Sequence, residues 1–117
     1  VKPGWTKARE LYEELEKALL STDIETKVKY TKLYAAFVSK HGRNYCEVVA
    51  HYKGWLKVYF RFPADSVKSS LKIVDCSKVG HWTNGISFVE MKDVSEIPEI
   101  VRLAKESFIY LHRDIYK

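Results

Sequence analysis

This chain is poor in cysteine, proline and glycine, and it contains no long apolar run, so it lacks the material for a disulfide framework, a flexible linker or a membrane span. It has two cysteines, three prolines and five glycines among 117 residues. No apolar run approaches the roughly 20 residues that a membrane helix needs, and no segment has the layout of a signal peptide. We therefore expect a cytoplasmic protein with one hydrophobic core and two reduced, buried cysteines, with a disulfide as the less favoured alternative.

Motifs for metal binding and for covalent or phosphate chemistry are also missing. The four histidines and two cysteines include no pair at CxxC or HxxxH spacing. No serine has a nucleophile-elbow context, and no glycine-rich phosphate loop follows a strand. We expect no metal and no cofactor, and the sequence gives an enzyme little support.

The charge balance favours acidic partners. The formal charge of +5 and the pI near 9.1 are compatible with nucleic acid as a partner, although a mildly basic surface can equally serve solubility. The length predicts a single domain over residues 1–117. The chain begins at Val1 rather than methionine, which is expected of a processed product or of a domain cut from a longer protein.

Hydrophobic periodicity predicts an α+β fold. A helix is predicted from Thr6 to Leu20, and a second helix is predicted to begin after Ser95 and to carry a long apolar stripe. Between them we predict extended segments over 27–38, 45–52, 55–62 and 86–91, with a weaker one near Ile73 and Val74. The expected architecture is an antiparallel sheet of four to five strands, with both helices packed on one face.

The strongest hairpin signal is Lys53-Gly54 between two alternating runs. A two-residue loop there places Tyr52 opposite Trp55 on the outward face, and it places Glu47 opposite Phe60 on the face that the helices should cover. A carboxylate there needs a partner, and candidates for it are Lys32, Tyr34, His51 and His81. Such a pocket could bind a ligand or hold a general base, whereas the structural alternative is a solvated or ion-paired Glu47 at the sheet margin.

The stretch Gly80-His81-Trp82-Thr83-Asn84-Gly85 predicts a turn, because glycine and asparagine tolerate positive φ. His81, Trp82 and Asn84 are candidate pocket residues on that loop. The alternative is that the histidine and tryptophan merely close the end of the sheet.

The segment that follows Gly54 alternates aromatic and cationic side chains on one face: Trp55, Lys57, Tyr59 and Arg61. A flat surface of this kind can stack bases and neutralise phosphates. The same pattern is used by any solvated sheet face, so both interpretations remain open.

Four stretches together, 32–37, 44–49, 56–60 and 79–85, carry a resemblance to a known family. The chain resembles a domain of unknown function whose longer relatives are labelled "predicted transport proteins". The most specific part is the His-Trp-x-Asn-Gly loop, although Thr83 replaces a glycine that is usual in it. The resemblance implies a C-terminal accessory domain of bacterial proteins with restriction-nuclease-like or defence modules, and hence a fused or neighbouring nuclease-like partner.

These observations favour a non-enzymatic recognition module associated with nucleic acid or defence. One alternative is an assembly module that dimerises or docks through an apolar strip on the last helix, around Phe108, Leu111 and Ile115. A second alternative is an enzyme that uses Glu47 and His81 as an acid–base pair, which requires the two side chains to converge.

Overall fold

Two helices pack on one face of a six-stranded sheet in the computed structural model, which describes residues 3–79 and 85–116. All neighbouring strands are antiparallel, and their order is β1-β2-β3-β4-β6-β5. The elements in chain order are α1 (Pro3–Leu20), β1 (Thr26–Tyr30), β2 (Ala35–Ser39), β3 (Asn44–Ala50), β4 (Leu56–Phe60), β5 (Val74–Asp75), β6 (Ser87–Met91), a 3₁₀ turn (Val94–Glu96) and α2 (Ile97–Leu111). The predicted α+β class is confirmed, with six strands rather than four to five.

The core lies between the helices and the even-numbered residues of β4. Leu56, Val58 and Phe60 are fully buried together with Leu15 and Leu103 from the two helices. Strand side chains alternate between faces, so the odd-numbered residues of β4 point away from the helices. The predicted phase of this strand is confirmed. We call the sheet face opposite the helices the outer face.

The β3–β4 register differs from the prediction by one residue. The loop is Tyr52-Lys53-Gly54, closed by a bond from His51 N to Trp55 O of 2.8 Å, and Gly54 adopts a φ of +107°. A three-residue loop with glycine at its last position is a common hairpin form. Glu47 consequently pairs with Tyr59 rather than with Phe60, and it lies on the outer face. The prediction that Glu47 lies beneath the helices is wrong.

The extended segment predicted over 27–38 is a hairpin of two strands, β1 and β2. Its turn contains no glycine or proline, and Thr31 replaces their function. The Thr31 hydroxyl accepts hydrogen bonds from the backbone N–H groups of Leu33 and Tyr34, and it donates one to the carbonyl of Tyr34. This hairpin supplies the additional edge strand.

The first helix begins earlier than predicted, whereas the second begins at Ile97, close to its predicted start after Ser95. α1 starts at Pro3 instead of after Thr6, and Gly4 lies so close to the β3–β4 loop that a Cβ there would be 1.8 Å from the carbonyl oxygen of Tyr52. The cap before α2 is Asp93 rather than Ser95. Asp93 accepts from the backbone N–H of Ser95, and Glu96 accepts from the N–H of Asp93.

The connection between β4 and β5 has little regular structure and is tied to α2. Ser69 donates to the carboxylate of Glu99, and Arg102 bonds both that carboxylate and the carbonyl of Lys68. The Arg102 guanidinium and then the Ser69 hydroxyl lower the pKa of Glu99 to about 2. Cys46 and Cys76 are both free and buried, as predicted. None of the described helices is long and apolar enough to cross a membrane.

Candidate nucleic-acid interface

The outer face carries residues from both sets that the sequence singled out. One row of this face crosses five adjacent strands and consists of Lys29, Ala36, Glu47, Tyr59 and Phe88, each opposite the next. The pocket candidate Glu47 and the platform candidate Tyr59 are therefore neighbours. The sequence had assigned them to opposite faces.

Glu47 is buried although the helices lie on the other side of the sheet. Its side chain is 1% exposed, and the amide of Asn44 lies 3.5 Å from one carboxylate oxygen. Burial raises the pKa of Tyr59, and the nearby Cys76 and Glu47 act in the same direction. A buried carboxylate of this kind needs polar partners within the fold.

The predicted platform of Trp55, Lys57, Tyr59 and Arg61 offers little accessible aromatic surface for base stacking. Tyr59 is 8% exposed, so its ring offers little stacking area. The ammonium of Lys57 lies 5.1 Å from the centre of the Phe88 ring, and that of Lys92 lies 5.0 Å from the centre of the Trp55 ring. Lysines thus cover the rings that a base would need, which leaves ammonium groups as the accessible chemistry.

His51 and Lys32 do not join Glu47 in a pocket. The His51 ring stacks on Trp55 at 4.4 Å, and its Nδ1 accepts from the backbone N–H of Lys53. Lys32 is exposed at the tip of the β1–β2 turn and forms no ion pair within 3–79 and 85–116. Tyr34 is half-buried where that turn enters β2. His51 therefore has a local role in the β3–β4 hairpin, and Lys32 belongs to the exposed turn of the β1–β2 hairpin.

The loop candidates His81, Trp82 and Asn84 lie outside the described residues, so their convergence with Glu47 stays a prediction. The residue that follows them is fixed tightly. A Cβ on Gly85 would lie 2.5 Å from the Cβ of Tyr59 and 3.2 Å from the carbonyl oxygen of Phe60. The Cys76 thiol also faces the carbonyl of Gly85 at 3.6 Å.

A second surface, which sequence reasoning missed, lies where the β2–β3 turn meets the end of α2. We call it the arginine cleft: about 710 Å³ lined by Gly42, Arg43, Asn44, Arg61, Leu111, Arg113 and Asp114. Arg61, which was predicted to lie on the platform, instead donates to the carbonyl of Asn44 at 3.1 Å and lines this cleft. Its three arginines are far apart in sequence, and no spacing motif joins them.

Buried polar bonds hold the walls of the cleft together. Ser107 of α2 accepts from the backbone N–H of Arg61 at 2.8 Å and donates to the carbonyl of Tyr45. His112, which is fully buried, joins its Nε2 to the hydroxyl of Ser39 at 2.8 Å and its Nδ1 to the carbonyl of Phe108 at 2.7 Å. A carbonyl only accepts, so Nδ1 carries the proton and Nε2 accepts from Ser39.

His112 follows the last residue of α2 and is nevertheless enclosed. Its contacts with β2 and with its own helix bury it completely. Burial lowers the pKa of His112, and the nearby positive charge of Arg43 acts in the same direction. His112 and Ser39 form a serine–histidine pair, but both are enclosed, with 0% and 5% exposure, so a substrate does not reach them.

Charge is segregated along the chain in a way that the sequence could have shown. Residues 26–62, which include β1 to β4, contain eight lysines and arginines and one carboxylate, Glu47. Their formal net charge is therefore +7, whereas that of the whole chain is +5. The remainder carries −2. Since Glu47 is buried, the accessible charge of this part of the sheet is entirely positive.

Other chemistries find no support in the described ranges. They contain no group of three or more histidine, cysteine, aspartate or glutamate side chains that could hold a metal ion.

The apolar strip expected for assembly is smaller than predicted, because Phe108 and Leu111 pack against the core, whereas Ile115 is 42% exposed.

Comparison with known proteins gives one informative relationship. The chain is 30% identical over 102 residues to an uncharacterized protein of Haemophilus influenzae. The match covers 85% of this chain but 32% of the relative, so the chain spans about a third of the length of the curated relative that it matches. No family model and no solved structure matches the chain.

Proposed function

We propose that this domain is a non-enzymatic recognition module that contacts the phosphate backbone of nucleic acid through the lysines of its outer face. The observation that carries the proposal is the segregation of charge, since β1 to β4 combine eight cations with one buried carboxylate. Of the eight cations, Lys27, Lys29 and Lys57 lie on the outer face, and such a local excess of positive charge is the electrostatic signature of nucleic-acid binding.

The placement of the lysines supports this surface over the helical one. Lys27 and Lys29 are exposed on the edge strand β1, and Lys57 is half-exposed on β4 in the same face. Edge lysines also protect a sheet against aggregation, and that role would be satisfied by β1 alone. Lys57 lies in the centre of the sheet, where edge protection does not explain it.

The covered aromatic rings define the mode of contact. Lys57 lies over Phe88 and Lys92 lies over Trp55, so base stacking requires the lysines to leave. Lys57 can contact phosphate from this position, whereas Lys92 is paired with Glu90 at 3.7 Å. Binding through ammonium groups is independent of sequence and strongly dependent on salt.

The setting that we propose is a larger cytoplasmic protein. The relative's greater length supports a larger parent protein. The accessory role beside a nuclease-like domain rests on the resemblance of the His-Trp-x-Asn-Gly loop to domains of restriction-associated proteins. The transport label attached to that family has no mechanism in these residues.

The test is a fluorescence anisotropy titration of labelled mixed-sequence DNA and RNA at low and moderate salt. The double variant Lys27→Glu and Lys29→Glu should reduce the slope of log K against log salt by about 1.4 to 1.8, since each phosphate contact adds about 0.7 to 0.9. The matched control is Lys17→Glu with Lys105→Glu, which reverses the same charge on the helices. Absence of salt-sensitive binding, or an equal effect of both double variants, contradicts the proposal.

A further inference from the structure

Three guanidinium groups converge on the arginine cleft from separate parts of the fold. Arg43 comes from the β2–β3 turn, Arg61 follows β4, and Arg113 follows α2. The cleft volume of about 710 Å³ falls within the range of roughly 300–1,000 Å³ that small-molecule sites occupy. The site is therefore large enough for an anion with a substituent attached.

Each guanidinium is held by a backbone carbonyl. Arg43 donates to Leu111 at 3.1 Å, Arg61 to Asn44 at 3.1 Å, and Arg113 to Tyr110 at 2.6 Å. The guanidinium carbon of Arg113 also lies 4.0 Å from the centre of the Tyr110 ring. A guanidinium has five N–H donors, so one bond to a carbonyl orients the group and leaves donors for a ligand.

The cleft retains positive charge after its internal pairing. Asp114 accepts from both terminal nitrogens of Arg43, at 2.8 and 3.1 Å, and this bond lowers the pKa of Asp114. Within the described ranges, neither Arg61 nor Arg113 has a carboxylate within ion-pair distance. Three cations and one anion leave two uncompensated positive charges.

We infer that the arginine cleft binds a phosphate monoester, with Arg61 and Arg113 as its contacts and Arg43 held in place by Asp114. A phosphate monoester carries close to two negative charges at neutral pH and offers three acceptor oxygens, which matches two oriented, unpaired guanidiniums. A carboxylate carries one charge and is satisfied by one bidentate arginine, so it would leave the second guanidinium without a partner.

Two sources supply this chemistry, a mononucleotide and the terminal phosphate of a nucleic-acid strand. The second source rests on the proposed function, because it requires the outer face to hold the strand while the cleft takes its end. The affinity of the cleft for phosphate does not depend on that function.

The experiment compares AMP with adenosine by isothermal titration calorimetry, using the 117-residue chain and three variants. Arg61→Gln and Arg113→Gln each remove one cleft cation, and Arg9→Gln removes the same charge from the exposed surface of α1. The bond from Arg61 N to Ser107 involves the backbone, so Arg61→Gln retains it. Thermal melting of each variant establishes that it is folded.

We expect AMP to bind and adenosine not to bind, with affinity for AMP weakened about tenfold in each cleft variant and unchanged in Arg9→Gln. Equal binding of adenosine and AMP, no binding of AMP, or an equal loss in Arg9→Gln would overturn the inference. A parallel titration compares a ten-nucleotide strand bearing a 5′-phosphate with the same strand bearing a 5′-hydroxyl. A preference for the phosphorylated strand that Arg113→Gln removes supports the strand end as the source, and equal affinity overturns that source. If AMP binds while neither strand does, the proposed function fails and the phosphate site stands.

Discussion

Glu47 lies directly opposite Tyr59 across the β3–β4 pair, so a carboxylate with 1% exposure and a phenol with 8% exposure share the outer face. This pairing determines what the outer face presents. Its one carboxylate within β1 to β4 is internal, while the lysines around it are accessible. The negative charge of Glu47 is thereby withdrawn from the surface that we assign to nucleic acid.

The substitution Glu47→Gln should therefore affect stability and not binding. We expect the free energy of unfolding to fall by about 1–3 kcal/mol, because a buried carboxylate that only accepts is replaced by an amide with two donors that need partners. Urea denaturation measures the change, and oligonucleotide affinity should stay within about twofold, far below the tenfold step that 1.4 kcal/mol represents. Glu90→Gln, half-exposed on the same face, is the control. Lost binding with unchanged stability would instead make Glu47 a ligand contact.

Gly85 is required by its contact with the same tyrosine. In Gly85→Ala the new Cβ would lie 2.5 Å from the Cβ of Tyr59, and neither atom can move without moving the backbone that carries it. We expect a loss of about 2–3 kcal/mol of stability. Gly42→Ala is the matched change, because its Cβ would meet nothing within 4 Å and only the φ of +77° opposes it, at about 1 kcal/mol. Thermal or urea denaturation gives both values, and a larger loss at Gly42 would refute the packing argument.

His112 should make stability depend on pH. Its folded-state pKa is lowered, so below pH of about 6.5 the unfolded chain binds a proton that the folded chain does not. The free energy of unfolding should therefore decrease as pH falls from about 6.5 towards the lowered pKa, by at most about 1.4 kcal/mol per pH unit. His112→Gln should remove this slope. A slope that survives in His112→Gln would show that another group is responsible.

The β3–β4 hairpin shows how much of the fold the sequence determined. Alternation of Leu56, Val58 and Phe60 was sufficient to predict which face of β4 meets the helices, and the structure confirms it. The loop length was not predictable, because glycine fits both a two-residue turn and the last position of a three-residue loop. One residue of difference exchanged the faces of β3, and this placed Glu47 on the wrong side in the prediction.

Other features depended on contacts between distant residues. The β1–β2 turn was missed because the Thr31 side chain provides the bonds that turn residues such as asparagine usually provide. The arginine cleft was missed because Arg43, Arg61 and Arg113 meet only after the sheet has formed and Ser107 and His112 have docked α2 on it. The excess of cations over residues 26–62, in contrast, was visible in the sequence and would have indicated the basic surface.

The most direct test of the central claim is a two-dimensional ¹H–¹⁵N NMR titration of the chain with a short single-stranded oligonucleotide at low salt. We predict that the perturbed amides will belong to β1, β4 and the arginine cleft, including Lys27, Lys29, Lys57 and Arg61, and that the perturbations will diminish when salt is added. Perturbations confined to the exposed surfaces of α1 and α2, or none at all, would contradict the account.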